Sequence, residues 1–171
     1  TLANSNYAIS LAAGGSFAIT QRPITLVIDA KTKVYGNTDP TLTYSLSAGN
    51  LVGSDALTLS RVAGENVGSY AISAANSNYA ITANSANLSI TTRPITVTAN
   101  SGLTKVYGNT DPTLTYTLEA NSAGRGLVGS DTFSGALSRA SGENVGSSYA
   151  ITQGTLANSN YAISLAAGGS F

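Results

Sequence analysis

The residues richest in chemistry form one block that occurs twice, Lys-Val-Tyr-Gly-Asn-Thr-Asp-Pro at 33–40 and again at 105–112. A carboxylate beside amide and carbonyl oxygens suits a hard cation, which makes Asp39 and Asp111 candidate metal ligands. A calcium loop brings several carboxylates close in sequence, however, and this block has one. The same residues also make a tight turn. Gly36 and Gly108 accept a positive φ, Asp39 and Asp111 take local backbone N–H groups, and Pro40 and Pro112 fix the exit. We therefore expect a structural turn at Tyr35, Gly36, Asp39 and Pro40, and at Tyr107, Gly108, Asp111 and Pro112. No cofactor is expected.

The other polar candidates recur in the same paired way. Asp55 and Asp131 lie in Gly-Ser-Asp, Glu65 and Glu143 lie in Gly-Glu-Asn, and Arg61 and Arg139 fall between them. An Asp–Glu pair is the raw material of acid–base catalysis, but no third polar group recurs with it. Arg–carboxylate pairs tying two loops are expected instead, each worth ~0–1 kcal/mol if exposed. Nine tyrosines against three phenylalanines suggest stacking on sugar rings. Yet Tyr44, Tyr70 and Tyr79 fall on an alternating apolar face, as core residues with the hydroxyl at the rim do. Tyr70 and Tyr149 follow Gly/Ser at a strand start, where a tyrosine corner forms. Tyr35 and Tyr107, beside glycine, are the tyrosines expected to be partly exposed. An isopeptide cross-link would need one of Lys31, Lys33 or Lys105, and none is expected.

Cys, Met, Trp and His are absent from the 171 residues. That excludes disulfides, thiolate and imidazole metal ligands, and Ser-His or Cys-His nucleophile pairs. No enzyme is expected. Charged residues make up 9%, against about 25% in ordinary domains. The formal net charge is zero, which argues against nucleic acid as a partner, since neutralising phosphates takes a basic stripe. No apolar run approaches the ~18 residues of a membrane span. Ser, Thr and Asn together number 59, about a third of the chain. A surface of short hydroxyls and amides hydrates without charge, as in many long-lived extracellular bacterial proteins.

Self-similarity organises these residues. The segment from Arg22, RPITLVIDAKTKVYGNTDPTLTYSL, is matched from Arg93 by RPITVTANSGLTKVYGNTDPTLTYTL. Both copies continue through LVGSD, LSR, GENVGS, YAI and NSNYAI. The offset is 71 residues at Arg22 and Arg93 but 82 at Tyr79 and Tyr161. The 11 extra residues of the second copy fall mostly in Gly/Ser/Asn-rich stretches, where loops accept insertions. Residues 1–17 are identical to residues 155–171, a 154-residue super-repeat. The chain thus reads as part of a longer tandem array. It divides into residues 1–21 as terminal strands of a preceding repeat, 22–92 as domain one, and 93–171 as domain two, ending within its last strand.

Period-2 alternation dominates, and helical patterns are poor. Ile24, Leu26 and Ile28 alternate, as do Leu42, Tyr44 and Leu46, and Leu57 and Leu59. Tyr70 and Ile72, Tyr79 and Ile81, and Leu88 and Ile90 continue the pattern. With a short strand at 33–35, about seven strands fill about 75 residues, which suits tandem antiparallel immunoglobulin-like sandwiches. The alternative is a β-grasp with a helix near 54–60 or 130–138, capped by Ser-Asp. Only Arg22 and Pro23, or Arg93 and Pro94 with one flanking residue, separate successive domains. Pro fixes φ and holds its preceding Arg extended. So short an extended linker permits little bending, and the array should be a semi-rigid rod of units ~30–40 Å long.

The combination of RPITVTA, KVYGNTDPTLTYTL, GLVGSD, LSRASGENVGSSYAI and NSNYAI resembles the MBG/YDG-type repeats of large secreted bacterial adhesins, which are filamentous-haemagglutinin-like. The resemblance covers essentially the whole chain. It implies an extracellular or cell-surface structural segment without enzyme activity. On this reading the chain is a stalk or fibre segment whose partners are neighbouring repeats, with other cells or matrix reached through a tip elsewhere. One alternative is a glycan- or matrix-binding module acting by avidity. Another is a self-assembling filament subunit completed by strand exchange. The super-repeat predicts that Phe171 is followed by Ala-Ile-Thr-Gln-Arg-Pro-Ile-Thr, copying residues 18–25. Reading the parent coding sequence checks this, and a stop codon soon after Phe171 contradicts it.

Overall fold

The computed structural model describes residues 5–9, 14–146 and 148–166. Segments 1–4, 10–13 and 167–171, which include part of the expected flanking strands, lie outside the described residues. The chain is all-β. Among the described residues there is no helix, and the stretches offered to a β-grasp helix contain short strands instead.

Seven strands form the first copy. They are β1 (Arg22–Ile28), β2 (Lys31–Val34), β3 (Tyr44–Ala48), β4 (Thr58–Arg61), β5 (Gly68–Ala75), β6 (Tyr79–Ala83) and β7 (Ala86–Thr91). One sheet has the order β3-β1-β6 and the other β2-β7-β5-β4. Alternation drives this arrangement. Ile24, Leu26 and Ile28 of β1 face inward and meet Ile72 of β5 and Leu88 of β7 in one buried cluster. Tyr79 and Leu57 close it. The chain changes sheets between β1 and β2 across only Asp29 and Ala30.

The second copy contains β8 (Arg93–Ala99), β9 (Tyr116–Leu118), β10 (Ser138–Arg139), β11 (Ile151–Thr152) and β12 (Tyr161–Leu165). Its sheet β9-β8-β12 reproduces β3-β1-β6, with Arg93 opposite Tyr161 as Arg22 is opposite Tyr79. Val97, Ala99, Leu137, Ile151 and Leu156 form its core.

The expectation of purely antiparallel sheets needs correction. β1 pairs parallel with β6, β2 with β7, and β8 with β12. The cause is the early change of sheet. The first two strands run in one direction in different sheets, and each is flanked by a late strand running the same way. Alternation reports which face is buried, and it is blind to strand direction.

Arg22 and Pro23 open β1, and Arg93 and Pro94 open β8. The residues expected as linker are therefore the first residues of strands. Thr92 alone separates β7 from β8. Proline is tolerated at such strand starts because its missing N–H breaks no ladder there.

Leu88 is fully buried between the two sheets. Leu88→Ala should cost about 2–5 kcal/mol, while Val62→Ala, at an exposed position, should stay within about 0.5 kcal/mol. Denaturant unfolding of both variants measures the difference.

Candidate functional site

The repeated block folds as a turn in both copies. Asn37 N–H donates to Val34 O at 3.1 Å, and Asn109 N–H to Val106 O at 3.0 Å. Gly36 and Gly108 have φ of 77° and 84°. That is the left-handed position a turn of this kind reserves for glycine.

Each turn carries its aspartate into an ionic quartet. Lys33 Nζ donates to Asp39 Oδ1 at 2.6 Å and to Glu65 Oε2 at 2.5 Å. Arg61 Nε donates to Asp39 Oδ2 at 2.6 Å, and Arg61 also pairs with Glu65. Arg61 Nη1 donates to Gly64 O at 2.6 Å, and its guanidinium lies 5.3 Å from the centre of the Tyr70 ring. The second copy repeats the arrangement. Lys105 meets Asp111 at 2.6 Å and Glu143 at 2.5 Å, and Arg139 joins both acids. Both oxygens of Asp39 and of Asp111 face cations, so their chemistry is that of charge pairing.

This grouping differs from the expected Arg–carboxylate pairs in one respect. Arg61 and Arg139 take Asp39 and Asp111 from the turn, and Asp55 and Asp131 go elsewhere. Tyr79 Oη donates to Asp55 Oδ2 at 2.7 Å, and Tyr161 Oη to Asp131 Oδ2 at 2.6 Å. Lys33, one of the three lysines a cross-link could use, has its Nζ against two carboxylates. Tyr70 Oη donates to Asn66 O at 2.7 Å and Tyr149 Oη to Asn144 O at 3.1 Å, the back-bond of a tyrosine corner.

The charge pairing shifts the acids. Arg61, then Lys33, hold the Asp39 carboxyl down at about 2, and Arg139 with Lys105 do the same for Asp111, also about 2. Glu65 and Glu143 are lowered by the same cations. Burial pulls the Lys33 ammonium down, but Asp39 and Glu65 outweigh it and the net shift is upward.

The turn of the first copy also touches the second copy. Tyr35 Oη donates to Asp131 Oδ2 at 2.9 Å. The Tyr35 and Tyr161 rings meet edge-on with centroids 5.5 Å apart. A Cβ built on Gly36 would lie 2.5 Å from a Val128 methyl. Val67 N–H donates to Asn160 Oδ1 at 2.9 Å, and Asn160 Nδ2 to Asn66 Oδ1 at 3.0 Å. Burial and Asp131 push the Tyr161 phenol up to about 12, and the same causes raise Tyr35.

Arg93 sits at the centre of this contact, 2% exposed. Its Nη1 donates to Tyr35 O and Asn37 Oδ1 of the first copy, both at 3.0 Å. Its Nε donates to Gly126 O at 2.8 Å. Its Nη2 donates to Asn121 Oδ1, Ser122 O and Arg125 O at 2.6, 2.7 and 2.8 Å. The last four acceptors lie between Tyr116 and Leu127, where the second copy is longer than the first. The Gly/Ser/Asn composition of that insertion carries no sign of a buried partner. Arg22, the counterpart of Arg93, is exposed and donates to Asn50 Oδ1 at 2.7 Å.

These features define a tandem all-β repeat protein whose two copies are joined by hydrogen bonds around Arg93 and Tyr35. The model for the MBG domain (YGX type) matches residues 24–89 and 95–171, and the chain belongs to that family. No curated protein and no solved structure matches the chain.

The lowered carboxyls stabilise the folded chain above about pH 4, and that contribution is lost as pH falls through about 2. Denaturant midpoints should therefore drop over that window. The Asp39→Asn/Asp111→Asn double variant should be less stable at pH 7 and show a flatter acid limb. Equal acid limbs would contradict the quartets.

Proposed function

We propose that this chain is a stalk segment of a bacterial extracellular adhesin or surface filament, with units 22–92 and 93–171 held at a fixed mutual orientation. The observation that carries this reading is the buried Arg93 guanidinium shared by the two copies. Bending at Thr92 would strip acceptors from a charge that water does not reach, and an unpaired buried cation is costly. The turn residues Tyr35, Gly36 and Asn37 are then junction residues, and the ionic quartets hold the turn that presents them. Neutral net charge spares a long array self-repulsion. Among the described residues no helix is long and apolar enough to cross a membrane.

Direct glycan or matrix binding through recurrent tyrosines has less support. Tyr44, Tyr79 and Tyr116 pack with the two cores, and Tyr35 packs on Tyr161 at the junction. Tyr107, by contrast, is 69% exposed, so the motif tyrosine does not present one exposed ring per repeat.

Gly36→Ala and Gly108→Ala separate backbone strain from the junction. Each should lose about 1 kcal/mol for a left-handed alanine. Only Gly36→Ala also drives a methyl into Val128, since nothing lies within 4 Å of the corresponding point at Gly108. Backbone ¹⁵N relaxation on dilute protein should show the wild type and Gly108→Ala tumbling as one elongated body. Gly36→Ala should loosen the two copies. Independent correlation times in the wild type would overturn the stalk reading.

A further inference from the structure

The loop that receives Arg93 is shaped by a residue outside the set of Arg93 acceptors, Glu119. It follows Leu118, the last residue of β9. Its N–H donates to Thr96 O at 3.0 Å, and its carbonyl accepts from Leu127 N–H at 2.9 Å. That carbonyl therefore closes the neck of a loop over residues 120–126. Thr96 N–H is met by the side chain instead, donating to Glu119 Oε2 at 2.9 Å. In the first copy β3 runs on to Ala48, which pairs with Thr25, and Ser47 follows Leu46 as Glu119 follows Leu118.

The same carboxylate braces the far side of the loop. Arg125 Nε donates to Glu119 Oε1, and Arg125 Nη2 donates to Glu119 Oε2 at 3.0 Å and to Thr96 Oγ1 at 3.2 Å. Arg125, then the Thr96 N–H, hold the Glu119 carboxyl down at about 2, so it is ionised at ordinary pH. Ser122 N–H donates to Arg125 O at 3.0 Å and Arg125 N–H to Ser122 O at 3.2 Å. The turn between them passes through Gly124, whose φ is 74°. Gly126 N–H donates to Pro94 O at 2.9 Å, and a Cβ built on Gly126 would lie 2.0 Å from Ala120 O. The loop closes on itself there because that residue has no side chain. None of these bonds uses an atom of the Arg93 side chain. They leave Asn121 Oδ1, Ser122 O, Arg125 O and Gly126 O converging on the guanidinium.

We propose that residues 119–126 are a preformed receptor for a planar guanidinium group, with Glu119 as the positioning residue that keeps its acceptors in place. Arg93 is the group the receptor holds in this chain. Three of the four acceptors face Nη2 and the fourth faces Nε. The loop thus reads two adjacent nitrogens of a rigid fork, whereas an ammonium carries all its donors on one atom. A site already in shape loses little freedom when it is filled. The receptor rests on the Arg93 contact that carries the stalk reading, and it names the chemical class that locks that contact.

Arg93→Ala empties the receptor, and ethylguanidinium is the fragment removed. Titrated into the full Arg93→Ala chain, ethylguanidinium should shift the amide resonances of residues 121–126 saturably. It should bind ~10-fold or more tightly than ethylammonium, which leaves acceptors unpaired. Adding Glu119→Ser should weaken that binding by ~10-fold or more, since the acceptors must then be ordered on binding. With Arg93 intact, Glu119→Ser should lower hydrogen-exchange protection at the Ser122, Arg125 and Leu127 N–H groups by ~10-fold or more. Asn100 N–H, bonded to Thr115 O at 2.9 Å at the other end of the β8–β9 pair, should keep its protection. This second variant carries the first copy's residue at that position and tests the loop even if Arg93→Ala does not fold. No saturable shift in folded Arg93→Ala, equal affinity for ethylammonium, or unchanged protection in Glu119→Ser would overturn the proposal. Every readout is taken on the loop amides and none needs the two units to tumble together, so receptor and stalk can fail separately.

Discussion

A guanidinium shut away from water constrains everything else in this molecule. Among the described residues no carboxylate pairs with Arg93. Its charge is balanced by carbonyl and amide oxygens converging from two sequence copies. The planar fork of arginine suits this task because its five N–H groups point in fixed directions. A lysine would present a compact charge with three donors and leave several of those oxygens unpaired. Losing one partner of a buried charge costs far more than an exposed contact gains, so displacing the copies at this contact would be costly. With only Thr92 between β7 and β8, backbone and side chain impose the same restraint.

The ionic quartets play a different part. Their acids are roughly half-exposed while their lysines and arginines are mostly covered. Each such pair adds about 0–1 kcal/mol in water, the part that is lost in acid. The quartets also fix geometry. Each quartet ties the turn to the loop before β5, or to its counterpart in the second copy, and so sets where the backbone oxygen and ring of Tyr35 or Tyr107 project. Each contains two cations and two anions and is itself neutral.

The loop that wraps Arg93 is longer than its counterpart in the first copy, where Arg22 donates to Asn50 Oδ1.

Much of the fold is legible in the residue order. The seven strands of the first copy follow from alternation and from Gly, Asn, Asp and Pro between them, because a half-buried strand needs apolar residues at every second position. The repeat itself and the turn at Tyr35 to Pro40 are also readable from residue types and spacing. Strand direction was not legible, since a parallel and an antiparallel neighbour bury the same alternate residues. Nor was the pairing of Arg61 with Asp39, or the role of the longer loop before Leu127. Asp39 is 22 residues from Arg61, and Asn121 is 28 from Arg93. No local pattern links such positions, and only the closing of the sheets brings them within hydrogen-bond distance.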